Sequence, residues 1–441
     1  MILGRRVAWA LVACMVLVAG AACEDRGRPR SPTTTAAPGS TAPPAGEVPA
    51  GQVLAEALNL IERRAFYAER VDWPTVRAEA RRRIAASTAR VELYEAIRWV
   101  LSRLGDRHIF LLTPGRAAEL AAGRGRDFGL LALFPERVVV DVEPRGAAER
   151  AGVRVGDVVE AVDGRAVQGE EVVTLPPPTA GGGPARVLLT LRRGGAGRPN
   201  RLQVAVEAAE LPAVRPPTVR RLSAGTGLLE LFAVTTGTGP RAAGYVEPAH
   251  DAIRRVATAR TCGWVVDLRR DSGGSLPPML AAVGPVLGDG RAVGYRGRDG
   301  ATVWFGYQDG AFTAGGRPVP QLAARRPARL PRPRPPVAVL TSRLTGSAGE
   351  GVLMAFRGRP GARSFGEPTA GVPTGNTRHR LADGAELYLV EGVGVDRTGR
   401  AYQARIRPDQ PVAAEWTRYG TPADPVLAAA SRWLGTRCAG R

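Results

Sequence analysis

A serine lies where a strand is followed by a helix, at residue 347. The apolar run 337–340 predicts a buried strand, and the apolar spacing of residues 352–356 predicts a helix that ends at Gly358. A serine at such a junction exposes its Oγ, and the free amides of the helix N-terminus stabilise a developing negative charge. Ser347 is therefore a candidate nucleophile, with an ordinary helix N-cap as the alternative role.

A second apolar run, residues 263–266, predicts another buried strand, and a glycine pair follows it. The stretch Asp-Leu-Arg-Arg-Asp-Ser-Gly-Gly ends at Gly273 and Gly274, and glycine lets backbone amides approach a ligand closely. Such amides can form half of an oxyanion hole, which stabilises the anion that forms when a nucleophile attacks a carbonyl. The alternative is that this glycine pair is only a turn.

A serine nucleophile also needs a base, because serine is a weak nucleophile at its own pKa. The chain contains no lysine and only three histidines. His250 follows a proline near the start of a predicted helix and is expected at the surface. His379 lies between two arginines, which oppose the imidazolium that a general base must become. His108, in the polar tetrad 105–108, is the better candidate, with a structural role as the alternative.

The segments around these residues predict an α/β protein of several domains. Residues 51–123 show helical periodicity and predict a helical N-terminal domain. After a Pro- and Arg-bearing linker at 208–222, strand-like runs alternate with helical patterns, which is typical of an α/β core. We place that core at residues 223–441.

Residues 124–207 have a different composition. A strand at 138–142 is followed by a short helix with a glycine stop, and then by a Gly-Asp turn, a strand and an Asp-Gly turn. This order resembles a bacterial PDZ domain, a module that binds extended C-terminal peptides by adding them to its sheet. The resemblance implies that Phe128, Gly129 and Leu130 form the loop whose amides hold a peptide carboxylate. The alternative is a spacer PDZ that binds no peptide.

The N-terminus has the pattern of a targeting segment. Arginines precede an apolar run, and small residues lead into Cys23. The pattern resembles a bacterial lipoprotein signal, in which that cysteine is lipidated; plain secretion and a retained membrane anchor are the alternatives. We assign residues 1–22 to a signal peptide and 23–50 to a flexible tether. We expect an extracytoplasmic protein, anchored on the outer face of a bacterial cell membrane or otherwise secreted.

Two further cysteines and the charge complete the composition. Outside the cytoplasm, Cys262 and Cys438 predict a disulfide, although Cys262 also fits a small apolar core position.

The formal net charge is +20, all of the positive charge is arginine, and the arginines are scattered. We therefore expect no nucleic-acid partner. We also expect neither a metal nor a cofactor.

The motifs, taken in chain order, resemble the C-terminal processing and tricorn-type family of serine peptidases. The resemblance covers most of residues 52–412 and includes the tetrad and the inserted PDZ. The remaining matched motifs lie at 267–274, 345–350, 365–371, 375–376, 383–384 and 408–409. The resemblance implies a core of the ClpP/crotonase-like kind.

The resemblance also implies roles for individual residues. Ser347 becomes the nucleophile, and the amides of Ala348 and of Gly273 or Gly274 form the oxyanion hole. Glu350 matches a glutamate that supports the active site.

The choice of base separates two branches of the family. The processing branch uses a lysine at a position that is Val372 in this chain, whereas the tricorn branch uses a histidine that matches His108. The tricorn branch also carries a glutamate in the region where this chain has Tyr402 and Gln403. We therefore expect a His-type site, with the third member open among Glu350, Asp106 and an unmatched residue.

These observations predict an exported serine endopeptidase that cleaves proteins or peptides through an acyl-enzyme, with the PDZ recognising chain ends. One alternative is an inactive peptide-binding protein, which the absence of a glutamate near Tyr402 favours. Another is an esterase on small acyl substrates, although Thr345 stands where the Gly-x-Ser-x-Gly elbow has its first glycine.

Overall fold

The computed structural model describes residues 48–85, 90–121, 126–133, 135–167, 186–194, 200–210, 214–222, 225–236 and 240–439. The predicted signal peptide, Cys23 and most of the predicted tether lie outside the described residues. Within the described ranges, no helix has the length and apolar character needed to cross a membrane.

The N-terminal region is helical, as its periodicity predicts. It contains α1 (Ala50–Arg64), α2 (Trp73–Ala85), α3 (Arg90–Arg103) and α4 (Pro114–Ala121). The apolar face of α1 is buried, and it shares a core with apolar residues of the long strand at Glu386–Asp396. One short apolar segment is extended instead: β1 (Phe110–Leu112) pairs antiparallel with that strand. The residues just after His108 are therefore part of the same sheet as that long strand.

An inserted β domain follows. Its elements are β2 (Arg126–Asp127), β3 (Leu130–Leu133), β4 (Val138–Val142), α5 (Ala147–Arg150), β5 (Val158–Val162), β6 (Arg165–Ala166), β7 (Arg186–Arg193), β8 (Asn200–Glu207) and β9 (Ala209–Glu210). The sheet has the order β3-β4-β5-β7-β8, with β6 paired to β5. Strands β2 and β9 pair where the chain enters and leaves this domain. Val138 and Val140 pack against Trp416, which joins the domain to the core.

The α/β core contains the remaining elements. Its strands are β10 (Thr218–Arg221), β11 (Thr226–Glu230), β12 (Gly263–Asp267), β13 (Gly290–Gly297), β14 (Thr302–Gln308), β15 (Ala311–Ala314), β16 (Arg317–Ala323), β17 (Val337–Thr341), β18 (Ala362–Gly366), β19 (Thr374–Arg380), β20 (Glu386–Asp396), β21 (Ala401–Tyr402) and β22 (Gln410–Pro411). Its helices are α6 (Pro240–Val256), α7 (Leu276–Leu287), α8 (Ala348–Phe356) and α9 (Pro425–Cys438).

Two sheets organise this core. The first has the order β10-β11-β12-β17-β18-β22 and is parallel except for β10. The second is antiparallel, with the order β1-β20-β13-β14-β15-β16, and β19 and β21 also pair with β20. Helices α6, α7 and α8 share a core with residues of both sheets, and α9 packs on the opposite face of the parallel sheet. The α/β fold with a helical N-terminal region and a PDZ-like insertion is confirmed.

The last helix is covalently tied to the parallel sheet. Cys438, at the end of α9, forms a disulfide with Cys262, immediately before β12, and their Cα atoms are 5.9 Å apart. The bridge closes a chain separation of 176 residues.

Candidate active site

Ser347 lies at the carboxyl end of the central parallel strand β17. All five residues of that strand are buried, and α8 begins directly after the serine. Ser347 has φ 49° and ψ −112°, in the left-handed half of the backbone map that residues other than glycine rarely adopt. Such strain at a tight strand-to-helix turn is typical of a presented nucleophile. The side chain is 6% exposed.

Glu350 fastens this turn to the loop at residues 369–372. Its carboxylate accepts the amide of Ser347 at 2.9 Å and the amides of Gly371 and Val372 at 3.0 and 2.9 Å. It also accepts the hydroxyl of Thr369. The side chain is fully buried, and burial raises its pKa to about 7 despite these donors. Both carboxylate oxygens of Glu350 are therefore engaged in holding the backbone around the serine.

His108 is held at three atoms. Its backbone amide donates to Asp106 Oδ1 at 2.6 Å, and its carbonyl accepts Asn376 Nδ2 at 2.6 Å. Its ring Nδ1 lies 2.7 Å from the hydroxyl of Thr374. The residue is 3% exposed, and burial lowers the pKa of the imidazole to about 4. Asp106 thus contacts the backbone of His108, while Thr374 orients the ring.

One segment anchors both candidate residues. Glu350 ties the serine turn to Val372, and two residues later Thr374 contacts His108. Two residues of extended chain span at most about 7 Å. Tyr295 packs between α8, which follows Ser347, and β19, which carries Thr374. A Cβ added to Gly351 of α8 would lie 3.0 Å from the Tyr295 hydroxyl, and a Cβ added to Gly375 of β19 would lie 2.8 Å from the Tyr295 ring.

Thr374 and Asn376 were not assigned roles from the sequence. Their contacts with His108 cross 266 and 268 residues of chain, so spacing carries no signal for them. The matched Gly-Asn motif at 375–376 was a hint that this stretch contributes to the site.

The glycine turn after β12 docks on the serine turn after β17. Gly346 donates its amide to the carbonyl of Asp271 at 3.1 Å, and the hydroxyl of Thr345 donates to the carbonyl of Leu268 at 2.8 Å. On its other side the glycine turn packs against Val234, which follows β11: a Cβ on Gly274 would lie 2.1 Å from the carbonyl oxygen of Val234. The structure therefore brings the two predicted turns together.

Gly273 and Ala348 differ in what surrounds them. The Gly273 amide donates to Asp271 Oδ1 at 3.0 Å, so in this structure that amide is engaged by a side chain. Ala348 is the first residue of α8, where helix amides have no partner within the helix.

The other two histidines lie in different surroundings. The expected surface position of His250 is wrong: the residue is fully buried, because α6 begins ten residues earlier, at Pro240, and continues through Pro248. Its Nε2 contacts the carbonyl of Ala281 at 2.9 Å, and its Nδ1 accepts the amide of Ala328 at 3.1 Å. His379 contacts Glu391 at 2.6 Å, on strands β19 and β20.

The loop predicted to hold a peptide carboxylate precedes β3. Phe128 is buried and its carbonyl accepts the amide of Ala148. Gly129 has a positive φ of 71°, and its amide donates to Asp127 at 2.8 Å. Leu130 begins β3, which pairs only with β4 among the described residues. An unpaired strand edge is the feature to which a PDZ adds a peptide.

Comparison with known proteins shows which families the segments of this chain match. Residues 243–412 match Peptidase family S41, and residues 138–193 match the PDZ domain. A nisin-resistance protein of Lactococcus lactis subsp. lactis is 31% identical over 148 residues, which are 33% of this chain and 45% of that protein. A chloroplastic C-terminal processing peptidase of Tetradesmus obliquus is 25% identical over 346 residues, which are 73% of this chain and 69% of that protein. The chain thus spans less than half of the first relative.

Solved structures share the fold along nearly the whole chain. A lipoprotein from Streptococcus agalactiae has a TM-score of 0.57 at 18% identity and covers 90% of this chain and 99% of its own. The photosystem II D1 C-terminal processing protease has a TM-score of 0.54 at 22% identity, with coverage of 88% and 98%. The fold is therefore that of peptidase-like structures. Residues 243–412 thus match Peptidase family S41, residues 138–193 match a PDZ domain, and the chain is similar to C-terminal processing peptidases.

Proposed function

We propose that the protein is an exported serine endopeptidase with a Ser–His site. Ser347 Oγ attacks the carbonyl carbon of a peptide bond while His108 takes the hydroxyl proton. His108 then gives that proton to the leaving amine, and water releases the acyl group by the reverse sequence. The anchoring of Ser347 and His108 on one segment, through Glu350 and Thr374, is the observation that carries this proposal.

His108 begins in the neutral state that a general base needs, and the same burial opposes the imidazolium that forms when it accepts a proton. A pKa near 4 leaves the imidazole neutral at pH 7, so that one ring nitrogen can accept a proton. In this proposal Nδ1 carries the ring proton and donates it to the Thr374 hydroxyl, which lies 2.7 Å away, so that Nε2 is the acceptor. Thr374 is therefore a positioning residue in the place where other triads have a carboxylate.

The oxyanion is stabilised by backbone amides in this proposal. The amide of Ala348 contributes from the N-terminus of α8, and the glycine turn contributes Gly273 or Gly274. Glu350 acts indirectly, since its carboxylate holds the backbone of Ser347 and of the loop beside it.

The inserted domain is proposed to recognise the substrate, and the N-terminus is proposed to attach the protein to a membrane. Phe128, Gly129 and Leu130, with the unpaired edge of β3, receive the unfolded end of a protein substrate. Cys23 attaches the chain to the outer face of a bacterial cell membrane through a lipid. Proteins and peptides, rather than nucleic acids, are the partners.

A second candidate is a peptide-binding protein that has lost catalysis. Tyr402 favours it, because its hydroxyl donates to Asp396 at 2.8 Å where the tricorn branch supplies a glutamate. The ring of His108 also contacts the neutral hydroxyl of Thr374, rather than a carboxylate that would stabilise an imidazolium.

Cleavage of an unfolded protein by the purified mature chain tests the proposal. We expect the parent to cleave it, Ser347→Ala to be inactive, and Ser102→Ala, an exposed matched serine change, to match the parent. No cleavage by a folded parent contradicts the proposal and favours the binding protein. Turnover of a small ester without cleavage of any protein favours the esterase.

A further inference from the structure

Asp271 lies in the contact between the glycine turn and the serine turn. It is fully buried. Its carbonyl accepts the amide of Gly346, and its Oδ1 accepts the amide of Gly273. A Cβ on Gly349, in the first turn of α8, would lie 3.1 Å from the carboxyl carbon of Asp271 and 3.3 Å from its Oδ2. The carboxyl group therefore fills the space between the glycine turn and the start of the nucleophile helix.

The second oxygen of this carboxyl, Oδ2, has no hydrogen-bond partner among the described residues. Within the part of the chain that the structure describes, no cation compensates it, because the nearby charged and titratable groups are engaged with other partners. These groups are Arg269 and Arg270 in its own turn, Arg343 in the serine turn, Tyr245 on α6 and Glu350 on α8. Helix α7, which follows the glycine turn, carries no titratable side chain.

A buried carboxyl with these surroundings favours the neutral acid. Removing a charge from water without a partner is costly, and burial raises the pKa of Asp271 to about 8 even though Gly273 donates to it. The two protonation states of Asp271 differ in the strength of the hydrogen bond that they accept from the Gly273 amide. A neutral acid is a weaker acceptor, whereas a carboxylate holds an N–H in a charge-assisted bond roughly twice as strong.

We propose that Asp271 is a positioning residue of the oxyanion turn that works only as the neutral acid, so that loss of its proton inactivates the peptidase. This inference rests on the proposed function, in which the glycine turn stabilises the oxyanion. In the neutral state, Asp271 fixes the turn and leaves the Gly273 amide available to a stronger acceptor. After ionisation, the carboxylate retains that amide and places a negative charge beside the developing oxyanion.

The pH profile of kcat/KM for cleavage of a reporter peptide by the mature chain tests this inference. We expect the parent to lose about tenfold between pH 7 and pH 9, as one group with a pKa near 8 loses its proton. Asp271→Asn keeps the acceptor oxygen and cannot ionise, so its profile, normalised to its own value at pH 6, stays flat over this range. Asp299→Asn, an exposed matched change, keeps the loss seen in the parent. An equal alkaline loss in Asp271→Asn overturns the inference.

Thermal unfolding supplies a readout that does not need activity. The unfolded Asp271 ionises near its ordinary pKa of 3.8, while the folded residue stays protonated to about pH 8, so the parent loses stability as pH rises between these values. The Tm of Asp271→Asn relative to the parent should therefore increase from pH 5 to pH 8. A constant difference shows that Asp271 is already ionised in the folded protein and overturns the inference. Activity that survives Ser347→Ala instead contradicts the proposed function, and the Tm comparison still decides the protonation state.

Discussion

The surroundings of His108 and of His250 differ in how they use a buried imidazole. Both residues are shielded from water, and burial lowers the pKa of both. Around His250, both ring nitrogens are engaged, one with the carbonyl of Ala281 and one with the amide of Ala328. Around His108, Nδ1 contacts Thr374, and the other two anchors hold only the backbone. An imidazole with both nitrogens hydrogen-bonded, such as His250, supports the fold. An imidazole held through one nitrogen, such as His108, can exchange a proton at the other.

The largest expected effect is the loss of activity when His108 is replaced. His108→Gln should lower kcat/KM by about 10³-fold, because general base catalysis contributes about 10²- to 10⁴-fold. Peptide cleavage measured at pH 7 checks this, with His379→Gln as the matched control that keeps parental activity. An active, folded His108→Gln would remove the distinction between the two regions.

Thr374 sharpens the comparison, because it is the group that orients the His108 ring. Thr374→Val keeps the shape and removes the hydroxyl, and we expect kcat to fall about 10- to 100-fold with little change in KM. Thr374→Ser restores the hydroxyl and most of the rate. An equal loss in both variants would show that packing, rather than the hydrogen bond to Nδ1, accounts for the effect of Thr374.

His250 should respond in stability rather than in catalysis. His250→Ala leaves a cavity and two buried backbone groups without partners, so the free energy of unfolding should fall by about 3 kcal/mol. Urea unfolding measures this loss, and the activity of the folded fraction should stay within about threefold of the parent. A loss of catalysis without a loss of stability would contradict the structural role assigned to His250.

The smallest expected effect is the response to mild acid. His108 must be neutral to act as a base, and its lowered pKa means that it is neutral above about pH 4. The loss of activity that belongs to His108 should therefore lie near pH 4, separate from any change near pH 7, where Glu350 titrates. The absence of a fall in activity around pH 4 would contradict the lowered pKa of His108.

The local features of the site were predictable from sequence, because each is encoded within a few residues. The apolar strand before Ser347, the helix after it and the glycine pair at residues 273–274 follow from hydrophobic periodicity and turn chemistry. The motif order also led to the inserted PDZ and to the similarity with C-terminal processing peptidases.

The remaining features depend on contacts that are distant in sequence. Thr374 meets His108 only because β19 pairs with β20, the strand to which β1 also adds. The segment 109–112 is too short for periodicity to distinguish a strand from a helix. The burial of His250 was missed because Pro248 was interpreted as a helix start, whereas it lies inside α6.

The most direct test of the Ser–His account is active-site labelling with a fluorophosphonate, mapped by mass spectrometry. We predict one adduct on Ser347 of the mature chain at pH 7, no adduct in Ser347→Ala, and strongly slowed labelling in His108→Gln but not in His379→Gln. Labelling of His108→Gln at the parental rate, or an adduct on a different serine, would contradict the account.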